Sequence, residues 1–131
     1  MKTLLSVLTL CVLFTVGCAT NTPSSGVGAS GEKYFMGNYE ATFDTSLFSM
    51  DKAIRAACTR AKLIPKERRN YAKACEYLYL DVDGTRCTLS TRELKQGGTR
   101  ISIRIGATGD RITAQALLIA IDEELRSLGA N

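Results

Sequence analysis

The sequence predicts a small α+β domain in which an antiparallel sheet carries two helices on one face. Short stretches alternate apolar and polar residues, as half-buried strands do, and two longer stretches repeat apolar residues at helical spacing. Asp83-Gly84 is a typical two-residue hairpin turn. The expected element order is β-α-β-β-β-α, and a chain of 131 residues suits one domain.

The first strand and helix are predicted between residues 39 and 65. Tyr39, Ala41 and Phe43 alternate with polar residues. Thr45, Ser46 or Ser49 can cap the following helix, and Pro65 would close the segment. The buried stripe of this helix is expected to contain Leu47, Met50, Ile54, Ala57, Cys58 and Ala61.

The next strands are predicted to form a hairpin around Asp83-Gly84. Leu78, Leu80 and Val82 would face the core, and the alternating Tyr77 and Tyr79 the open face. A two-residue turn places Cys87 opposite Leu80, again on the core face.

The last strand and helix follow after Gly97-Gly98. Ile101, Ile103 and Ile105 share one face, and Asp110 can cap the final helix. Asp122-Glu123-Glu124 is expected on its solvated face, and Gly129 at its C-terminus. Its apolar stripe would contain Ala114, Leu117, Leu118, Ile121, Leu125 and Leu128.

Composition limits the chemistry. Histidine is absent, which excludes His-based triads and His-ligated metal sites, and leaves Cys and carboxylates as possible ligands. We expect no cofactor and no metal. The net charge is +4, and +3 once residues 1–17 with Lys2 are removed, which is too mild to indicate a nucleic-acid partner.

Residues 1–17 predict a secretory signal peptide. Lys2 precedes Thr3–Val16, an uncharged apolar run that is shorter than the roughly 20 residues a spanning helix needs. A basic start, a short apolar region and small residues after it are the pattern of a cleaved leader.

The end of this leader, Thr15-Val16-Gly17-Cys18-Ala19, resembles the lipobox of bacterial lipoproteins, although Thr15 stands where the family usually has Leu. The resemblance implies that Cys18 carries acyl chains such as palmitate and becomes the mature N-terminus. Ala19 after the cysteine implies an outer-membrane location facing the periplasm. Two alternatives stay open: cleavage after Ala19, which gives a soluble periplasmic protein, or Cys18 as a plain leader residue.

Small polar residues follow Cys18, from Ala19 to Ser30, and have the composition of a flexible spacer. The predicted organisation is therefore a signal peptide (1–17), a lipidated N-terminus with linker (18–36) and a small α+β domain (37–131).

The C-terminal half resembles a family of small bacterial envelope lipoproteins with a domain of unknown function. The residues that carry this likeness are Asp83-Gly84, Thr99–Gly106 and Gly109-Asp110. The resemblance implies a location and a fold, and it brings no activity.

Gly106–Asp110 and the cysteines are two further candidate sites. The glycine loop lacks the Gly-Lys-Ser/Thr ending of a phosphate-binding loop, which favours a tight turn. Cys58 and Cys87 are expected on the core layer, as a possible disulfide or as small buried residues, and Cys75 on the opposite face.

A possible partner surface combines Tyr77 and Tyr79 with Arg68 and Arg69. The arginines belong to a basic run, Lys62, Lys66, Arg68, Arg69 and Lys73, interrupted by Glu67. The run is either a solvated edge or a contact for anionic headgroups or an envelope protein.

The sequence as a whole favours an envelope lipoprotein whose tethered domain has a non-catalytic binding or structural role. Its expected partners are the bilayer, through the acyl chains, and an envelope protein or anionic headgroups. The alternatives are a soluble periplasmic protein or a small periplasmic enzyme.

Overall fold

The computed structural model of the chain describes residues 28–129. These residues form a six-stranded sheet and two helices. The elements are β1 (Ser30–Phe35), β2 (Asn38–Phe43), α1 (Leu47–Arg60), β3 (Ile64–Asn70), β4 (Ala74–Leu80), β5 (Arg86–Glu93), β6 (Thr99–Ile105) and α2 (Arg111–Ser127).

All strand pairs are antiparallel, and the strands lie side by side in the order β1-β2-β6-β5-β4-β3. The two helices contact each other and cover one face of the sheet, with α2 against β6 and β2 and α1 against β4 and β5. The predicted α+β class is therefore confirmed. The observed order contains two strands more than predicted, β1 and β3.

β1 takes in residues that were assigned to the linker. It pairs with β2, from Ser30 opposite Thr42 to Phe35 opposite Asn38. The backbone N–H of Gly28 also donates a 3.1 Å hydrogen bond to Asp122 of α2. The sheet thus begins well before the predicted boundary at residue 37, while residues 18–27 lie outside the described part of the chain.

β3 is an edge strand that lacks any apolar alternation. All seven of its residues are exposed. Pro65 and a register shift between Pro65 and Glu67 interrupt its pairing with β4. Charged residues, proline and bulges protect an edge strand from pairing with another chain. The same residues break the alternation of apolar and polar side chains by which a strand is predicted from sequence.

Both helices begin at the caps that the sequence predicts. Ser46 accepts a 3.1 Å hydrogen bond from the backbone N–H of Ser49, and Asp110 accepts one of 3.1 Å from that of Thr113. At the end of α1, Lys62 adopts a positive φ of 61°, and Leu63 donates back to the Cys58 carbonyl over 2.9 Å. This closure turns the chain sharply into β3.

The β4–β5 turn corrects the predicted hairpin register. The turn spans five residues, 81–85, because Asp81 accepts hydrogen bonds from the backbone of both Asp83 and Thr85, at 2.8 and 2.9 Å. Tyr79, and not Leu80, lies opposite Cys87. Since side chains alternate between faces, this shift of one residue turns every side chain of β4 to the other face.

The buried layer of β4 therefore consists of Cys75, Tyr77 and Tyr79. Leu78 and Leu80, predicted to be buried, are half-exposed on the open face, and Val82 is 80% exposed. Asp122 is a second correction: it was expected in solvent, and it is 3% exposed. The ends of the predicted stripes are a third correction: Leu47 and Ile105 are half-buried, and Ala61 and Leu128 are exposed. The remaining predicted core positions are buried between sheet and helices, among them Phe43, Met50, Ile54, Leu89, Ile101, Ile103, Leu118, Ile121 and Leu125.

Candidate functional site

Tyr77 and Tyr79 do not form the predicted partner surface, because they are only 2% and 6% exposed. The Tyr77 hydroxyl donates a 2.6 Å hydrogen bond to the Asp51 carboxylate of α1. Burial and this acceptor raise the pKa of Tyr77, and burial raises the pKa of Tyr79 to about 12. Both tyrosines are neutral parts of the core.

Arg68 and Arg69 lie on the exposed edge strand, yet both are paired within the domain. Arg68 Nη2 is 2.9 Å from Asp51 Oδ1, and Arg69 Nε is 2.9 Å from Glu67 Oε1. The basic run is therefore a solvated strand edge whose two arginines already have carboxylate partners.

The cysteines 58, 75 and 87 are buried free thiols. Burial raises the pKa of Cys58 and of Cys87 to about 12, and Cys87 contributes to the shift at Cys58. The prediction that these two share the core layer is confirmed, and a bridge between them stays a prediction. Cys75 was expected on the other face; it is buried on the same face and donates to Asn70 Oδ1 over 3.1 Å.

These thiols are poorly suited to nucleophilic chemistry. The thiolate is the reactive form of cysteine, and a pKa near 12 leaves almost none of it at neutral pH for Cys58 or Cys87. Their role in the structure is to fill space between the sheet and α1.

The loop from Gly106 to Asp110 is a structural turn. Asp110 places its own carboxylate at the α2 N-terminus, where it accepts from the Thr113 backbone at 3.1 Å and from the Thr113 hydroxyl at 2.7 Å. These bonds lower the pKa of Asp110. A bound phosphate would meet this negative charge, so the arrangement supports the turn interpretation.

One end of the sheet gathers three connections, which together we name the loop end: the β1–β2 turn (36–37), the β4–β5 turn (81–85) and the β6–α2 connection (106–110). Arg104 joins two of them, because its guanidinium donates to the carbonyls of Met36 and Ala107. Gly109 packs so closely on Gly37 that a Cβ at Gly109 would lie 2.4 Å from the Gly37 Cα.

A cavity of about 290 Å³ opens at the loop end, between the helices and β5–β6. Its floor includes the buried Cys87, and Asp81 and Thr85 of the β4–β5 turn also line it. The apolar part of its wall consists of Ala61, Leu63, Ile105, Ala116, Leu117 and Ala120.

Exposed apolar side chains surround this end of the domain. Met36 is 75% exposed, Val82 80% and Ile112 81%, and Phe35 and Ile64 also lie there, more than half exposed. Sequence reasoning missed this feature because the residues are isolated in the sequence, and only the topology places them at the same end of the sheet. The available signal was the presence of large apolar residues within turns.

Cys18, the predicted lipidation site, lies outside the described residues. Within residues 28–129, no helix is long and apolar enough to cross a bilayer.

The fold and the cavity define the chain as a small α+β domain, with an antiparallel sheet covered on one face by two helices. Residues 2–124 match a family model described as a protein of unknown function, DUF3568, and the chain belongs to that family. The expected resemblance to a family with a domain of unknown function is thereby confirmed. A search of curated proteins found no match.

Proposed function

We propose that this protein is a bacterial envelope lipoprotein, tethered to the outer membrane through lipidated Cys18, whose domain binds a partner and does not catalyse a reaction. The observation that carries the proposal is the leader of residues 1–17 followed by Cys18. The family match supports it, since it starts at residue 2 and so includes the leader together with the domain.

The loop end is the best candidate for the binding surface. Its cavity of about 290 Å³ is at the small end of the ~300–1,000 Å³ typical of ligand sites, so it suits one or two apolar side chains better than an extended cofactor. An apolar cavity wall and exposed apolar residues at the same end of the sheet are both features of protein interaction surfaces.

The position of the loop end leaves it accessible to another protein. β1 starts at the opposite end of the sheet, where Ser30 pairs with Thr42. A strand of six or seven residues spans roughly 20 Å. The loop end is therefore about one strand length from the point where the tether joins the domain, and it faces away from the tether. An apolar segment of another envelope protein is the partner we propose.

Detergent phase partitioning tests the tether. The full-length protein, expressed with its own leader in a bacterial host, should enter the detergent phase of Triton X-114. A Cys18→Ser variant should stay in the aqueous phase if its leader is removed, or remain as an unprocessed precursor. Cys11→Ser, which changes a thiol within the apolar leader, is the matched control and should behave as the wild type.

Photo-crosslinking in intact cells tests the binding surface. A crosslinker at Val82, in the loop end, should give a discrete protein adduct, and one at Gln96, in the β5–β6 turn at the opposite end, should give none. Ala116→Leu, which fills part of the cavity wall, should reduce the Val82 adduct. Equal adducts at both positions, or an adduct that Ala116→Leu leaves unchanged, would contradict the proposed surface.

A further inference from the structure

The face of the sheet that the helices leave uncovered is positively charged. Alternation along the paired strands places six basic residues on it and three carboxylates, for a net charge of +3. The basic residues are Lys33, Arg69, Arg86, Arg92, Arg100 and Arg104, and the acids are Glu40, Glu67 and Glu76.

Three of the six cations have a partner, either opposite them on the neighbouring strand or within bonding distance. Lys33 lies opposite Glu40, and Arg69 opposite Glu76. Such opposite-charge pairs across neighbouring strands stabilise a sheet. Arg104 is bound to the carbonyls of the loop end.

Arg86, Arg92 and Arg100 have no such partner among residues 28–129. Arg92 and Arg100 differ from Arg86 because they are directly opposite each other, on the central strands β5 and β6, and both are exposed. Within residues 28–129 neither has a carboxylate within 4.0 Å; the nearest acids along the face, Glu40 and Glu76, lie one row away, opposite Ser102 and Ser90. Like charges placed opposite each other destabilise a sheet, so an external anion would relieve the repulsion.

The arginine pair also lies close to the tether. Ser30, Thr42, Arg100 and Arg92 form one row across β1, β2, β6 and β5. At ~4.8 Å per strand, the two arginines are roughly 10 and 14 Å from Ser30. The ten residue steps from Cys18 to Gly28 reach at most about 35 Å when extended. An acylated Cys18 therefore leaves this row within reach of the bilayer surface.

Two further cations lie at this end of the sheet. Lys73 is in the β3–β4 turn and Lys95 in the β5–β6 turn, and both are exposed. The end of the domain nearest the tether thus carries four exposed cations beside two exposed acids, Asp44 and Glu93. The exposed apolar side chains lie at the loop end, one strand length away.

We propose that Arg92 and Arg100 dock the end of the open face nearest the tether on the anionic phospholipid headgroups of the membrane that holds the tether. The inference rests on the proposed lipid tether. Guanidinium groups bind phosphate through paired N–H donors, and two adjacent ones match a surface with many phosphates. Docking in this orientation turns the loop end toward the aqueous space, where a protein partner can reach it.

Fluorescence quenching on vesicles tests the orientation. The lipidated full-length protein carries an NBD label at Gln96→Cys, near the arginine pair, or at Val82→Cys, in the loop end; Cys58, Cys75 and Cys87 are buried and do not compete for the label. The vesicles are made of phosphatidylcholine with or without phosphatidylglycerol, and they contain a headgroup-labelled nitroxide quencher. Flotation of the vesicles reports the tether separately.

The label at Gln96 should be quenched on vesicles that contain phosphatidylglycerol, and the label at Val82 should not. Arg92→Gln/Arg100→Gln should lower the ratio of docked to undocked domain about 25-fold. Each arginine near an anionic surface contributes a factor of about five to this ratio, and the two factors multiply. Arg86→Gln removes an exposed arginine of the same face at the loop end, and it should have little effect. Added salt should weaken the quenching.

The outcomes separate the two proposals. Protein that fails to float with vesicles contradicts the tether. Protein that floats, but whose Gln96 quenching is unchanged in the double variant or needs no anionic lipid, overturns the docking inference and leaves the tether standing. Tight binding of soluble polyphosphate through the same arginines, without quenching on vesicles, overturns it as well. The double variant should melt no lower than the wild type, because the substitution removes a repulsion.

Discussion

The hydroxyl of Tyr77 donates a 2.6 Å hydrogen bond to the carboxylate of Asp51. This bond joins β4 to α1, and Arg68 of β3 lies 2.9 Å from the same oxygen. One acidic residue on a helix therefore connects two neighbouring strands, and it allows a tyrosine to be buried with its hydroxyl satisfied. The contact stabilises the face of β4 that the β4–β5 turn selects.

Removing this contact should destabilise the domain. Tyr77→Phe loses a hydrogen bond to a charged group and should lower the free energy of unfolding by about 1.5–3 kcal/mol. Asp51→Ala should cost at least as much, because it leaves the buried hydroxyl and Arg68 without their acceptor. Urea denaturation measures both.

Tyr71→Phe is the matched control. Its hydroxyl is exposed and 3.5 Å from Glu76, so its removal should change the stability by less than about 0.5 kcal/mol. Equal losses for Tyr77→Phe and Tyr71→Phe would contradict the role assigned to Asp51.

The sequence predicts the helices and most of the core correctly, because spacing and capping are local properties. Met50, Ile54 and Cys58 are buried as predicted, and Ser46 and Asp110 cap their helices. The face of β4 could not be predicted from its sequence, since Ala74–Leu80 contains apolar or aromatic residues at both parities. Which face of β4 is buried depends on the side chain of Asp81, whose hydrogen bonds lengthen the β4–β5 turn. The alternation of apolar and polar residues gives no indication of these bonds.

The candidate surfaces were less predictable than the core. β3 and β1 have few apolar residues, so their membership of the sheet depends on backbone pairing with a neighbour. The loop end combines residues that are distant in the sequence, and the Arg92–Arg100 pair depends on the exact register of the β5–β6 hairpin. A single sequence contains no signal for either, whereas the predicted Cys18 leader is a contiguous pattern.

The buried thiols predict alkaline destabilisation. The pKa values of Cys58 and Cys87 rise from an ordinary 9.0 to about 12 in the folded protein, so above pH 9 the unfolded chain binds fewer protons than the native one. The stability that these groups contribute is fully present below pH 9 and is lost as the pH rises toward 12. Urea titrations at a series of pH values measure the slope.

Cys58→Ala/Cys87→Ala isolates this effect. The double variant should be less stable at neutral pH because it loses packing volume, and its stability should fall less steeply above pH 9. The same slope in both proteins would show that these thiols titrate normally and are not buried as described.

Two glycines with similar backbone angles should respond differently to alanine. Gly84 and Gly109 have φ values of +82° and +87°, but only at Gly109 would a Cβ meet other atoms, with the Gly37 oxygen at 2.6 Å. Gly84→Ala should cost about 1–2 kcal/mol from its positive φ alone. Gly109→Ala should cost clearly more, because the β1–β2 turn has to move. Equal costs in thermal denaturation would contradict the close packing of the loop end.

Asp122 should hold the start of the described chain against α2. Its buried carboxylate accepts from the Gly28 backbone at 3.1 Å and pairs with Arg126 at 3.0 Å. Asp122→Ala should speed hydrogen exchange at the Gly28 amide and lower the free energy of unfolding by about 1.5–3 kcal/mol. The neighbouring Glu123→Ala, which removes an exposed pair with Arg60, should do neither. An unchanged rate of hydrogen exchange at the Gly28 amide in Asp122→Ala would contradict this contact.

The intact mass of the mature protein, extracted from bacterial membranes with detergent, tests the central claim most directly. We predict a chain that begins at Cys18 and carries a diacylglyceryl group and one further acyl chain. A chain that begins at Thr20 with no added mass would contradict the lipid tether.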